Sequence, residues 1–258
     1  MRFLKEMAKY RLILGFLIRD NIVLKYRKTA LGLVWALLGP LLYLITLAFV
    51  FSTILGRDLR THTLYILSGL VPWQFFSGSL IKSTTSFVGR EGLIKKIYVP
   101  KQVYVLADAI AMGIESFISL VVLYTLVTVF VGFPYNLTFL LLIPIFILQL
   151  LFQIGLALLF SVINVLFRDT ANILQVILQL GFFATPILYP ADRIPERFQF
   201  VLWINPMYWF IELYRSVISR STIPGGMEIL VCCGITAAAI IVGIAVFKAM
   251  DKKIVFML

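Results

Sequence analysis

Long runs without an ionisable residue, divided by short polar stretches, dominate this chain. An α-helix needs about 20 predominantly apolar residues to cross a hydrocarbon core about 30 Å thick. Residues 29–56 carry no charge, so 31–55 predicts a first span. Residues 64–81 predict a weaker second span, read as broken or re-entrant because Gly69, Pro72, Gln74 and Gly78 fall inside it. The uncharged stretch from Ser116 to Phe167 is too long for one crossing, and Gly132-Phe133-Pro134-Tyr135-Asn136 supplies the turn that divides it. Spans are therefore expected at 103–131 and 138–166, and again at 171–188 and 229–247. The pattern predicts one all-α polytopic membrane domain over residues 1–258, with six spans and both termini on one side.

Two further segments are neither spans nor simple loops. In residues 1–28, Arg2, Lys5, Glu6 and Lys9 share one helical face while Phe3, Leu4, Met7 and Tyr10 lean towards another. This predicts an amphipathic helix lying in the membrane interface. In residues 190–226, Pro195 is placed to open one short helix, and Asn205-Pro206 to cap and open a second. Glu212 and Arg215 then stand one turn apart and can pair. The segment is too short to cross and too rich in Phe, Trp and Tyr for a free loop, so two re-entrant or interfacial helices on the outer face are expected.

Composition agrees with this picture and excludes an ordinary soluble domain. Soluble chains run at about 45–50% apolar and about 25% charged residues, whereas this chain is 61% hydrophobic and 14% charged, with a mean hydropathy of +1.01. Its net charge of +11 fixes orientation. Lys and Arg in the N-terminal segment, the second loop, the fourth loop and the tail make up 17 of 23, against 6 on the opposite side. By the positive-inside rule both termini are cytoplasmic. Leu12 to Ile18 is too short, and too soon interrupted by Arg19-Asp20, to be a secretory signal.

Candidate chemistry is sparse. Asp108 and Glu115, seven residues apart, fall on one face of the third predicted span. Acids at such depth are costly and functional by default, although Asp108 lies near enough to the cytoplasmic end to reach water. His62 is the single histidine, and Cys232 and Cys233 are adjacent in an apolar run, so neither a metal site nor a redox pair is expected. There is no G-x-x-x-x-G-K-[ST] run and no cytoplasmic stretch long enough for an ATPase domain. The halves show no inverted repeat, which weighs against a secondary transporter.

Five stretches together resemble one family. Lys25 to Leu41 is similar to the basic-aromatic approach and L-G-x-x-W-x-x-L-x-P-L first span of type-2 ABC exporter permeases, and Leu93-Ile94-Lys95-Lys96-Ile97-Tyr98-Val99-Pro100-Lys101 to their second-loop motif. Phe167-Arg168-Asp169, Ala184 to Pro190 and Asn205-Pro206-Met207 match the fourth loop, fifth span and outer helices, in the expected order. The nearest resemblance is to permeases of bacterial O-antigen polysaccharide exporters. It implies a homodimer in the bacterial inner membrane, bound to two copies of a separate ATPase that holds ATP and Mg. No cofactor is expected in this chain, no enzymatic activity and no nucleic-acid partner. The cargo implied is a glycan on a polyprenyl pyrophosphate lipid.

The resemblance distributes roles among residues. Lys25, Arg27 and Lys28 stand where a pyrophosphate headgroup would arrive, though attraction to anionic lipid or topology alone would also account for them. Tyr43, Trp73, Phe75, Phe76, Phe182, Phe183 and Tyr189 are candidates to line a glycan tunnel, against the plainer reading of aromatic packing. The loop 83–101, with Arg90, Glu91, Lys95, Lys96 and Lys101, would couple to the ATPase. Pro195, Asn205, Pro206, Glu212 and Arg215 would form an outer gate or a static cap. Teichoic acid, capsule or drug export are neighbouring readings. A membrane-embedded enzyme acting on polyprenyl phosphates is the alternative of a different class.

Overall fold

A computed structural model describes residues 9–27, 31–97, 99–132 and 136–257. The first eight residues and Lys28 therefore lie outside the described residues, and with them much of the predicted interface segment. The described part of that segment forms one helix, α1 (Arg11–Tyr26).

Among the described residues, five helices are long and apolar enough to cross a membrane. They are α2 (Trp35–Leu55), α3 (Leu59–Thr84), α5 (Lys101–Val131), α6 (Leu142–Leu166) and α10 (Gly226–Met257), with the six-residue α4 (Glu91–Lys96) between α3 and α5. No strand occurs among the described residues. Glycines mark two of the reversals: Gly56 and Gly132 end α2 and α5 with φ of +60° and +72°, a conformation that costs other residues a Cβ clash. Asp58 opens α3 by accepting from the Thr61 backbone N–H at 3.1 Å.

The second predicted span is corrected by the structure. It is one unbroken helix, α3, and the most enclosed of the five. Pro72 removes one backbone donor from its middle, yet neighbours steady the site. The Gln149 amide of α6 donates to the Pro72 carbonyl at 2.9 Å, and Gly69 lets the Ile187 side chain approach to where a Cβ would be 3.1 Å away.

The fifth predicted span is helical over only part of its length. In place of 171–188 there is α7 (Thr170–Ala184), whose 15 residues measure roughly 22 Å at 1.5 Å per residue. The helix stops because Thr185 turns extended before Pro186, as residues preceding proline do. Thr185 to Leu188 continue as irregular backbone buried against α3 and the helices that follow. Beyond them lie short turns, α8 (Phe200–Ile204) and α9 (Pro206–Ile218). Asn205 caps α9 by accepting from the Met207 N–H at 3.0 Å, as its sequence predicts. Nearly every side chain of α9 is buried, so it is a core element laid against α3, α6 and α10.

The tightest packing is between α6 and α10. A Cβ on Gly155 would lie 2.5 Å from the Ala239 carbonyl carbon, and one on Gly243 would lie 2.1 Å from the Gly155 carbonyl oxygen. Small residues on facing positions let two membrane helices approach backbone to backbone.

Candidate functional site

Two contacts clip α1 to α5 at the basic end of the bundle. Asn21 and Lys25 are one turn apart on α1, and Asp108 and Glu115 two turns apart on one face of α5. Asn21 donates to Asp108 at 2.8 Å, and Lys25 pairs with Glu115 at 2.6 Å. Asp108 does not reach water: its side chain is fully buried. Its partner is Arg90, which comes in from the turn before α4 and bonds both carboxylate oxygens, at 2.7 and 2.8 Å. Arg90 also donates to the Asn21 carbonyl oxygen at 2.8 Å and to the Ser86 hydroxyl at 3.1 Å. Burial favours the neutral guanidine, but the hydrogen bonds and charge of Asp108 outweigh it, and the Arg90 pKa is raised. Helix α1, the turn before α4 and helix α5 thus meet on one buried carboxylate.

The predicted coupling residues divide accordingly. Glu91 and Lys95 face outward as an i,i+4 pair at 2.6 Å, and Lys96 is exposed beside them. Leu93 and Ile97, which carry no charge to single them out in the sequence, are exposed on the same short helix and its end. Lys101 is turned back to the far end of α10, where it reaches the Asp251 carboxylate at 3.0 Å and its carbonyl at 2.7 Å. Of the headgroup candidates, Lys25 faces Glu115, Arg27 is exposed, and Lys28 lies outside the described residues.

Six of the seven aromatic candidates fall in one patch. Trp73 of α3 stands 5.6 Å from Phe76 and 6.1 Å from Phe182 of α7, which in turn approaches Tyr43 of α2 and Phe183. Tyr189 closes the patch by donating to the Phe183 carbonyl at 2.7 Å. Tyr43 and Phe183 are its exposed edge. Phe75 points the other way along α3, into the core of the chain, stacked 4.9 Å from Phe146.

At the opposite end, α9 is held by a buried arginine. Arg215 donates to Glu212 at 2.6 Å and to the Pro186 carbonyl at 2.7 Å, with its guanidinium 3.9 Å over the Tyr65 ring. Glu212 also accepts from Arg220 at 2.7 Å. The Asn205 amide donates to Thr185 at 2.7 Å, and the Tyr65 hydroxyl to the Tyr189 carbonyl at 3.0 Å. Pro195 precedes a single 3-10 turn, Glu196–Phe198, on the exposed side. The Glu212–Arg215 pair was legible from sequence; the tie from Arg215 to the end of α7 was not.

Among the described residues, five helices long and apolar enough to cross a membrane define a multi-span membrane domain. The sequence profile of the ABC-2 type transporter family matches residues 14–219, and the chain belongs to that family. It is 28% identical over 243 residues, 93% of each chain, to the O-antigen export system permease protein RfbA of Klebsiella pneumoniae. The protein of that name from Myxococcus xanthus is 25% identical over 255 residues, covering 98% of this chain and 97% of its own. The polysialic acid transport protein KpsM of Escherichia coli is 24% identical over 232 residues, covering 88% and 89%.

Proposed function

We propose that this chain is the permease subunit of an ATP-driven exporter that moves an O-antigen type polysaccharide, carried on polyprenyl pyrophosphate, across the bacterial inner membrane. It works as a homodimer with two copies of a separate ATPase, which binds ATP and Mg, and both of its termini are cytoplasmic. The names of its relatives support the cargo, since two species' O-antigen permeases align over almost the whole chain. The observation that carries the mechanism is the junction on Asp108.

In this reading α4 is the part the ATPase touches. Its outward Glu91, Lys95 and Lys96, with Leu93 and Ile97 beside them, offer both charge and apolar area to a groove. Arg90 acts one step inward, and its bonds to Asp108 and Asn21 make the loop and α1 move together. ATPase closure then shifts the interface helix at which the lipid headgroup arrives, with Arg27 and Lys28 as its ligands. The aromatic patch from Tyr43 to Tyr189 faces the partner protomer and lines half of a glycan tunnel, where ring faces slide past sugar faces. Phe75 serves packing instead. The short α7 and the irregular stretch after it complete a sixth crossing, and α8 with α9 forms the outer gate, latched by Arg215.

The test is co-purification with a candidate ATPase and reconstitution with lipid-linked glycan. Glycan-stimulated ATP hydrolysis together with translocation is the expected result. Hydrolysis that ignores the glycan, with none translocated, would overturn the cargo. The polysialic acid transport relative favours a polysialic acid type of glycan as the second reading, and polysialic acid in the same vesicles separates the two.

A further inference from the structure

Between α2, α3 and α5 lies a half-open cavity of 310 Å³, bordered on its basic side by Lys25. Its origin is local. Pro40 has no N–H to give the Ala36 carbonyl, and Ser119 of α5 donates to that carbonyl instead, at 3.1 Å. The lining is unusual for its depth. Gln74 stands ten residues from the end of α3, roughly 15 Å in, and Glu115 fourteen residues from the start of α5, roughly 21 Å in. Ser116 and Trp35 complete the polar and aromatic wall.

The Gln74 amide and the Ser116 hydroxyl make no hydrogen bond among the described residues, although both border this cavity within membrane-spanning helices. A polar group at such depth without a partner costs free energy, so these positions call for a polar occupant. Lipid tails would leave the amide and hydroxyl unpaired. A bare anion would meet the Glu115 carboxylate. A neutral polyhydroxyl ring suits this mixed lining: its hydroxyls donate to Glu115 and accept from Gln74 and Ser116, and its apolar face lies on the half-exposed Trp35 indole and the neighbouring Pro40, Val71 and Met112. The volume is at the lower end of small-molecule pockets, about 300–1,000 Å³. That is room for a sugar ring and a neighbour, not a polymer.

We propose that this cavity is a saccharide-binding subsite that takes the first sugar of the lipid-linked cargo, with Gln74, Ser116 and Glu115 bonding its hydroxyls and Trp35 against its ring. The inference rests on the permease reading above. It places the sugar next to Lys25, so the pyrophosphate on the same lipid falls towards Arg27 and the interface helix. The subsite would make the permease favour lipids that already carry a sugar over the bare carrier.

The test uses the full chain in nanodiscs and two probes, a short-chain polyprenyl pyrophosphate bearing one hexose and the same lipid without sugar. The sugar-bearing probe is expected to bind about tenfold more tightly, and Gln74→Leu or Ser116→Ala to remove about five- to tenfold of that, the worth of one hydrogen bond. Binding of the bare lipid should not change. Equal affinity of the wild type for the two probes, with export intact, overturns the subsite and leaves the permease reading standing. Binding of neither probe overturns both. Should Gln74→Leu fail to fold, Ser116→Ala decides: if it keeps the full sugar preference, the proposal is wrong.

Discussion

The guanidinium of Arg90 meets both carboxylate oxygens of Asp108, although the two residues are 18 apart in sequence and sit on different elements. Fork-to-fork geometry makes this a strongly directional ionic contact. Asp108→Ala would strand a largely buried guanidinium, and a loss of about 3–5 kcal/mol is expected in denaturant unfolding of the detergent-solubilised protein. Arg90→Met with Asp108→Leu removes both charges and should recover most of that loss. A double variant as unstable as the single one would mean that shape, not charge, governs the junction.

Glu212 answers two arginines of very different exposure, Arg215 at 2% and Arg220 at 53%. Glu212→Ala is expected to cost about 3–5 kcal/mol because Arg215 stays buried without its counter-charge. Arg220→Ala should cost no more than about 1 kcal/mol, as exposed pairs do. Thermal midpoints of the two variants, measured side by side, check the ordering.

A buried relay links α9 to the middle of α3. The Tyr214 hydroxyl donates to the Gln149 amide oxygen at 2.8 Å, and the Gln149 amide nitrogen donates to the Pro72 carbonyl at 2.9 Å. Tyr214→Phe leaves an acceptor unpaired and should destabilise by about 1–3 kcal/mol. Adding Gln149→Leu to it should cost less than the sum of the two single changes, which a double-mutant cycle reads directly.

The outward pair on α4 gives a pH signature. The hydrogen bond from Lys95, and then its charge, hold the Glu91 carboxyl below its ordinary 4.5. A depressed folded pKa means stabilisation that is present above the unfolded value and lost as pH falls through the folded one. Unfolding midpoints of wild type and Glu91→Gln should therefore converge on acidification below about 4.5. High salt should shrink the gap at neutral pH.

Much of this architecture is written locally and so was legible. Runs of apolar residues fixed the long helices, and Asn205-Pro206 announced α9. The failures came where distant residues override local preference. Pro72 and its glycines read as a break, but Gln149, 77 residues away, steadies the helix from outside. The fifth span looked long because Thr185 to Leu188 carry no charge, yet Pro186 ends α7 and tertiary contacts bury Ile187 and Leu188 beyond it. Arg90 and Asp108 were each visible as charges near the basic end. Only the fold brings them together, because nothing in local periodicity says that a loop arginine will turn inward.

The glycine contact between α6 and α10 has a mechanical consequence. Where Gly155 meets Ala239 and Gly243, backbone touches backbone, with no side chain between to change rotamer and absorb a slide. Axial slip of either helix would drive a carbonyl into a Cα. The two helices therefore behave as a stator, and whatever stroke the transporter makes must be taken up by the more loosely seated helices around that fixed post.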